Sequence, residues 1–150
     1  MRKLIVLLSI FMAFGGCNDG DPNGKKVYIP DVPVNITLNL DLPSNMHLNN
    51  LGGFSLLTGG HRGIFLVHHF DDAFYAVERT CTYIPDSACA VIQVDTSNIQ
   101  LRCGTYNTQG YDQCCQSLFS YDGSLLQGPA QYSLKRYNVS RNGNLLSIYN

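Results

Sequence analysis

The chain has 150 residues, of which 14% are charged, and its formal net charge is −1 at neutral pH. A typical protein has about 25% charged residues, so neither a basic nucleic-acid surface nor a highly charged disordered chain is indicated. The length suits a targeting segment followed by one domain with its own core.

Residues 1–16 have the features of a bacterial lipoprotein signal peptide. Arg2 and Lys3 supply positive charge, and the apolar run from Leu4 to Phe14 is too short for a bilayer, which requires roughly 20 residues. Two glycines then precede Cys17, whose thiol can receive a lipid. We therefore predict lipidation at Cys17 and anchoring to the outer membrane, on its periplasmic or surface face. An ordinary secretory signal is the alternative.

A tether is predicted over residues 17–26, because the stretch from Asn18 to Lys26 contains no apolar residue and can bury nothing. Residues 27–150 are predicted to form one β-domain. Its first strand is expected from Val34 to Leu40, where apolar and polar residues alternate. Helical periodicity is nearly absent, and at most a short turn is expected around Asn45 to Leu51.

Four pairs of short apolar runs, each pair separated by turn-forming residues, predict four β-hairpins. Their turns are Asp71-Asp72, Asp95–Asn98, Asp122-Gly123 and Arg141–Asn144. Many short strands at such close spacing predict an all-β fold, a small antiparallel barrel or sandwich.

Five cysteines follow Cys17, which allows two disulfides and leaves one thiol over. They are Cys81, Cys89, Cys103, Cys114 and Cys115. If Asp95 to Ser97 form the loop of the second hairpin, Cys89 and Cys103 face each other, close enough to bond. Cys114 and Cys115 are neighbours in an extended strand and point to opposite faces, so they are not expected to bond to each other.

The histidines do not predict a metal site. His68 and His69 are adjacent in a predicted strand and face opposite ways, so they cannot chelate one ion as a pair. His47 and His61 lie in predicted loops, and no spacing of the zinc-binding type is present. No serine or cysteine lies in a nucleophile motif, so no catalytic residue is predicted.

Three segments share the order and spacing of a known family. They are Cys81-Thr82-Tyr83, the run DQCCQSLF at 112–119, and Gly128-Pro129-Ala130. Together they resemble the Rieske ferredoxin domain, which has Cys-x-His in one loop, Cys-Pro-x-His-Gly-Ser-x-Phe in a second, and a Gly-Pro-Ala loop over the cluster. The segment Tyr28–Pro30 and the first strand are similar to lipoproteins of Bacteroidetes-type bacteria that carry such domains.

The resemblance implies a degenerate [2Fe-2S] site, because the four ligand positions hold Cys81, Tyr83, Asp112 and Cys115. A Rieske cluster needs two thiolates on one iron and two imidazoles on the other, and neither histidine is present. Placing Cys103 at the second thiolate position requires an insertion and restores no histidine. We therefore expect no cluster and no other cofactor.

The resemblance also implies that a disulfide could join the two loops in place of the cluster. Cys81 would bond to Cys114 or Cys115, and Cys114 is favoured because a cysteine at that place bridges the loops in some Rieske proteins. Cys115 would then be the free thiol.

Three functions are compatible with these features. The favoured one is a lipid-anchored structural or interaction module of the envelope, without enzymatic activity, because both histidine positions are broken. The alternatives are an electron-transfer protein with an unusual cluster, and a thiol-redox or metal-handling protein that uses Cys81, Cys114 and Cys115. The partner that the sequence predicts is the membrane, through the lipid on Cys17, with no nucleic acid; it does not identify a protein partner.

Overall fold

The computed structural model describes residues 28–150. The predicted signal over 1–16, the lipid site Cys17 and the tether to residue 26 lie outside the described residues. Within residues 28–150, no helix has the length and apolar character needed to cross a bilayer. In chain order the elements are β1 (Asn35–Asn39), a 3₁₀ helix (Met46–Asn49), β2 (Phe54–Leu57), β3 (Ile64–His68), β4 (Phe74–Glu78), β5 (Ile92–Asp95), β6 (Gln100–Asn107), β7 (Gly110–Phe119), β8 (Leu125–Gln127), β9 (Arg136–Asn142) and β10 (Leu145–Tyr149).

The strands form two antiparallel sheets. One has six strands in the order β1-β10-β9-β4-β3-β2, and the other has four in the order β5-β6-β7-β8. The sheets curl into a small barrel-like fold, which confirms the predicted all-β class.

Strand β3 is buried on both faces, and this explains why its residues 64–67 are all apolar. Ile64 and Leu66 point to a cluster enclosed by the six-stranded sheet. Phe65 and Val67 point the other way, into the cluster shared with the four-stranded sheet. The second cluster matters for function because it also contains Cys81 and Cys103.

All four predicted hairpins are present, as β3–β4, β5–β6, β7–β8 and β9–β10. Strand β1 lies within Val34–Leu40, and the 3₁₀ helix lies within the turn expected around 45–51. Strand β2 was not predicted. Neither was the hairpin in which β6 pairs with the first half of β7, from Asn107 opposite Gly110.

A buried carboxylate at the end of β4 was also not predicted. The Glu78 side chain is fully enclosed. It accepts hydrogen bonds from the backbone amides of His61, Arg62 and Thr80, at 2.7, 2.9 and 3.0 Å. The hydroxyls of Thr80 and Tyr137 donate to it as well, at 2.9 and 2.7 Å. Burial alone would raise the pKa of Glu78, but these donors outweigh it and the pKa is lowered.

Candidate metal centre

The site is built around an irregularity in the pairing of β6 with β7. Leu118 of β7 lies opposite Arg102, yet the next pair along the ladder is Gly104 opposite Gln113. Residues 114–117 therefore bulge out against the single residue Cys103. Such bulges re-aim side chains and are frequent beside functional sites. Here the bulge turns Cys115 inward, toward the cluster between the sheets.

Three thiols converge at this bulge. The sulfur atoms of Cys81, Cys103 and Cys115 all lie within 4.8 Å of one another, and those of Cys81 and Cys115 are 3.8 Å apart. None of the three is in a disulfide. Thiolates that share one ion at about 2.3 Å are separated by roughly 4 Å, so the arrangement has the dimensions of a single metal site.

The contact between the Cys81 and Cys103 sulfurs shifts the pKa values of these two thiols in opposite directions. The contact with Cys103 lowers the pKa of Cys81, and the Tyr83 amide, which donates to the Cys81 sulfur, acts in the same direction. The same contact, together with burial, raises the pKa of Cys103. The Ser117 amide donates to the Cys115 sulfur at 3.4 Å. Backbone amides thus donate hydrogen bonds to two of the three sulfurs, those of Cys81 and Cys115.

A cavity of about 640 Å³ gives access to the thiols from the side of Cys115. Its lining includes Tyr83, Cys115 and the Gly128-Pro129 turn. The Ser117 hydroxyl accepts a hydrogen bond from the Ala130 amide at 3.1 Å, which holds this turn against β7. Cys81 and Cys103 are fully buried beneath it, whereas Cys115 is half-buried.

A disulfide between Cys89 and Cys114 flanks the cavity. The pairings expected from the sequence, Cys89 with Cys103 and Cys81 with Cys114, were therefore wrong. In the β5–β6 hairpin Asp95 lies opposite Gln100, so the loop is longer than supposed and Cys103 faces Ile92 instead. A disulfide through Cys114 does join the two loops, as the resemblance implied, but its partner is Cys89. Cys114 and Cys115 are not bonded to each other, as expected.

The disulfide closes a loop with a sequence separation of 25 residues. Replacing Cys114 with alanine is expected to lower the free energy of unfolding by about 3 kcal/mol, because the unfolded chain regains loop entropy. Urea unfolding measures this difference. A reductant should destabilise the unsubstituted protein and leave the variant unaffected. Equal stability of the two proteins under oxidising conditions would contradict the assignment.

Comparison with known proteins identifies the architecture. The cyanobacterial plasma membrane Rieske protein PetC3 from Synechocystis PCC 6803 superposes with a TM-score of 0.52 and 20% identity, over 74% of this chain and 97% of that one. The chain has a Rieske-like fold. The ferredoxin of carbazole 1,9a-dioxygenase from Nocardioides aromaticivorans IC177 gives a TM-score of 0.44 and 16% identity, over 77% and 95% of the two chains. No protein family and no curated protein matches by sequence.

The residues of this Rieske-like domain do not fit a Rieske cluster. Each of the four histidines has a partner away from the thiols: His47 contacts Ser55, His61 contacts Thr80, His68 contacts Asp72 and His69 contacts Asp71. No histidine therefore stands where a Rieske cluster requires its two imidazole ligands.

The structure brings together only some of the four positions that the resemblance aligned with the cluster ligands. Cys81 and Cys115 meet, and Tyr83 lines the cavity beside them. Asp112 is exposed in β7 opposite Thr105 and does not join the group. Cys103 completes the group instead. Sequence reasoning favoured a hairpin disulfide for Cys103, although the alternative alignment, with Cys103 at the second thiolate position, brings it to this site.

Proposed function

We propose that this protein is a lipid-anchored envelope protein whose Rieske-like domain binds a single thiophilic metal ion in place of the two-iron cluster. The observation that carries the proposal is the convergence of the Cys81, Cys103 and Cys115 sulfurs within 4.8 Å. Thiolate ligands select soft or borderline ions such as Cu(I) and Zn(II). Of the functions considered from the sequence, metal handling has the most direct support.

The proximity of three free thiols supports metal binding over a purely structural role. In an exported protein, thiols encounter an oxidising environment in which disulfides form and persist. The Cys81 and Cys115 sulfurs are only 3.8 Å apart, so a small movement would allow them to bond. A bound ion would protect both thiols from oxidation, and a structural module has no need of three converging cysteines.

The size of the thiol group also favours a single ion over an electron-transfer cluster of unusual composition. A two-iron cluster requires protein ligands at both ends. Three sulfurs within 4.8 Å of one another surround one centre, and among residues 28–150 no histidine or carboxylate joins them in that group.

Titration of the disulfide-intact domain with Cd(II) tests the proposal. We expect one equivalent to bind, with the ultraviolet absorption of a thiolate-to-cadmium charge-transfer band and loss of thiol reactivity. The matched control is Asp112→Asn, which alters a position aligned with a cluster ligand but remote from the thiols, and which should bind equally. A protein that shows no saturable absorption with Cd(II) would contradict the proposal.

Anchoring at Cys17 is proposed on the sequence features of the signal. The change Cys17→Ser removes the thiol that carries the lipid and should release the protein from membranes into the soluble fraction. Fractionation of cells that express each form measures this. Continued membrane association of the Cys17→Ser variant, with its signal peptide cleaved and no lipid attached, would contradict the proposed lipid anchor.

A further inference from the structure

We propose that the ion held by the three thiols is Cu(I), bound as a mononuclear three-sulfur complex. This inference rests on the proposed function, that the thiol group binds a metal. Its first support is the number of donors. Cys81, Cys103 and Cys115 form a group of three, and within residues 28–150 no His, Asp or Glu atom belongs to it. Cu(I) accepts three thiolates as a complete set, whereas Zn(II) in closed protein sites takes four ligands.

The surroundings of the sulfurs supply the second support. Cys81 and Cys103 are fully buried in an apolar cluster with Ala90, Ile92 and Phe119. Such an apolar cluster offers a bound ion no donor atom besides the sulfurs, which suits an ion that is satisfied by three ligands. A divalent ion would have to draw its fourth ligand, a water, from the cavity.

The route to the site is consistent with an ion that passes between thiols by ligand exchange. Cys115 is the half-buried member of the group and lines the cavity with Tyr83, Gly128 and Pro129. An incoming ion would meet Cys115 first and then Cys81, whose sulfur is 3.8 Å away. The buried Cys103 would complete the coordination last.

Competition titrations under anaerobic conditions test the inference. The disulfide-intact protein is titrated with Cu(I) against bathocuproine disulfonate, and with Zn(II) against a chromophoric zinc chelator. We expect one equivalent of Cu(I), with a dissociation constant at least about 100-fold below that for Zn(II). Cys103→Ala should abolish this preference, and Asp112→Asn should preserve it. Circular dichroism of Cys103→Ala establishes that the variant is folded.

The outcomes separate this inference from the proposed function. If one equivalent of Zn(II) binds as tightly as Cu(I), the assignment to copper is overturned and the metal-binding function stands. If neither ion binds, both are overturned. Binding of several Cu(I) ions, or unchanged Cu(I) binding by folded Cys103→Ala, would also overturn the mononuclear three-sulfur site.

Discussion

The Cys115→Ser variant is expected to bind Cd(II) at least about 100-fold more weakly than the unsubstituted protein. Loss of a hydrogen-bond partner of a metal ligand alone weakens binding by roughly 10–100-fold, and here a ligand itself is removed. Cys115 is the best member of the group to test because it is half-buried, with Cys81 and Cys103 fully enclosed. A serine at this position disturbs the core least, so the effect on binding can be measured in a folded protein.

Calorimetric titration of Cys115→Ser and Asp112→Asn compares the two proteins directly. The aspartate variant should keep the affinity of the unsubstituted chain, because Asp112 is exposed in β7 and outside the thiol group. Equal loss of affinity in both variants would indicate a site nearer the tip of the β6–β7 hairpin. Unchanged affinity in Cys115→Ser would exclude the three-thiol site.

The largest expected effect on stability comes from Glu78. We expect Glu78→Gln to lower the free energy of unfolding by about 3 kcal/mol or more, since hydrogen bonds to a charged group contribute about 1.5–3 kcal/mol each. Glu78 is fully buried and accepts from three amides and two hydroxyls. The amide group of glutamine would direct its own N–H donors at several of them. The exposed Asp86→Asn is the matched control and should change stability little.

The Glu78 contribution should depend on pH in a defined direction. Because the pKa of Glu78 is lowered in the folded state, its stabilisation is complete above the unfolded value of about 4.3 and is lost as the pH falls through the folded value. Urea unfolding as a function of pH measures this. The difference between the unsubstituted protein and Glu78→Gln should be constant near neutral pH and narrow in acid. A difference that widens in acid would contradict the ionised carboxylate.

Local patterns predicted most of the strands. The alternation from Val34 to Leu40 marks β1, and the Asp-Gly pair at Asp122 marks the β7–β8 turn, because such residues adopt backbone angles that tight turns require. The order of the Cys81 and Gly128 segments identified the Rieske-like fold that the structural comparison confirms. These features depend on short stretches of chain and can be deduced without the tertiary structure.

The resemblance aligned Cys81 and Cys115 with one site, but the complete group of three thiols could not be predicted, because it depends on register. In the β5–β6 hairpin the ladder places Cys103 opposite Ile92, and a shift in loop length moves each cysteine to another partner. The bulge over residues 114–117 has no periodic signal in sequence, yet it brings Cys115 to Cys81.

The Glu78 site has only a weak local signal in the sequence. A charged residue ends the otherwise apolar β4, and Gly60 lies on the loop whose amides surround its carboxylate. A Cβ on Gly60 would overlap both the Glu78 carboxylate and the Tyr137 hydroxyl. A carboxylate at the end of an apolar strand, in a chain that also has a glycine-containing loop, is therefore a weak sequence indication of a buried, hydrogen-bonded carboxylate.

X-ray absorption spectroscopy of the protein loaded with one equivalent of Cd(II) tests the three-thiol site most directly. The Cys81, Cys103 and Cys115 sulfurs should give three sulfur neighbours at a single distance, with any remaining ligand being an oxygen atom. A first shell with fewer than three sulfurs, or one composed mainly of nitrogen and oxygen, would contradict the account.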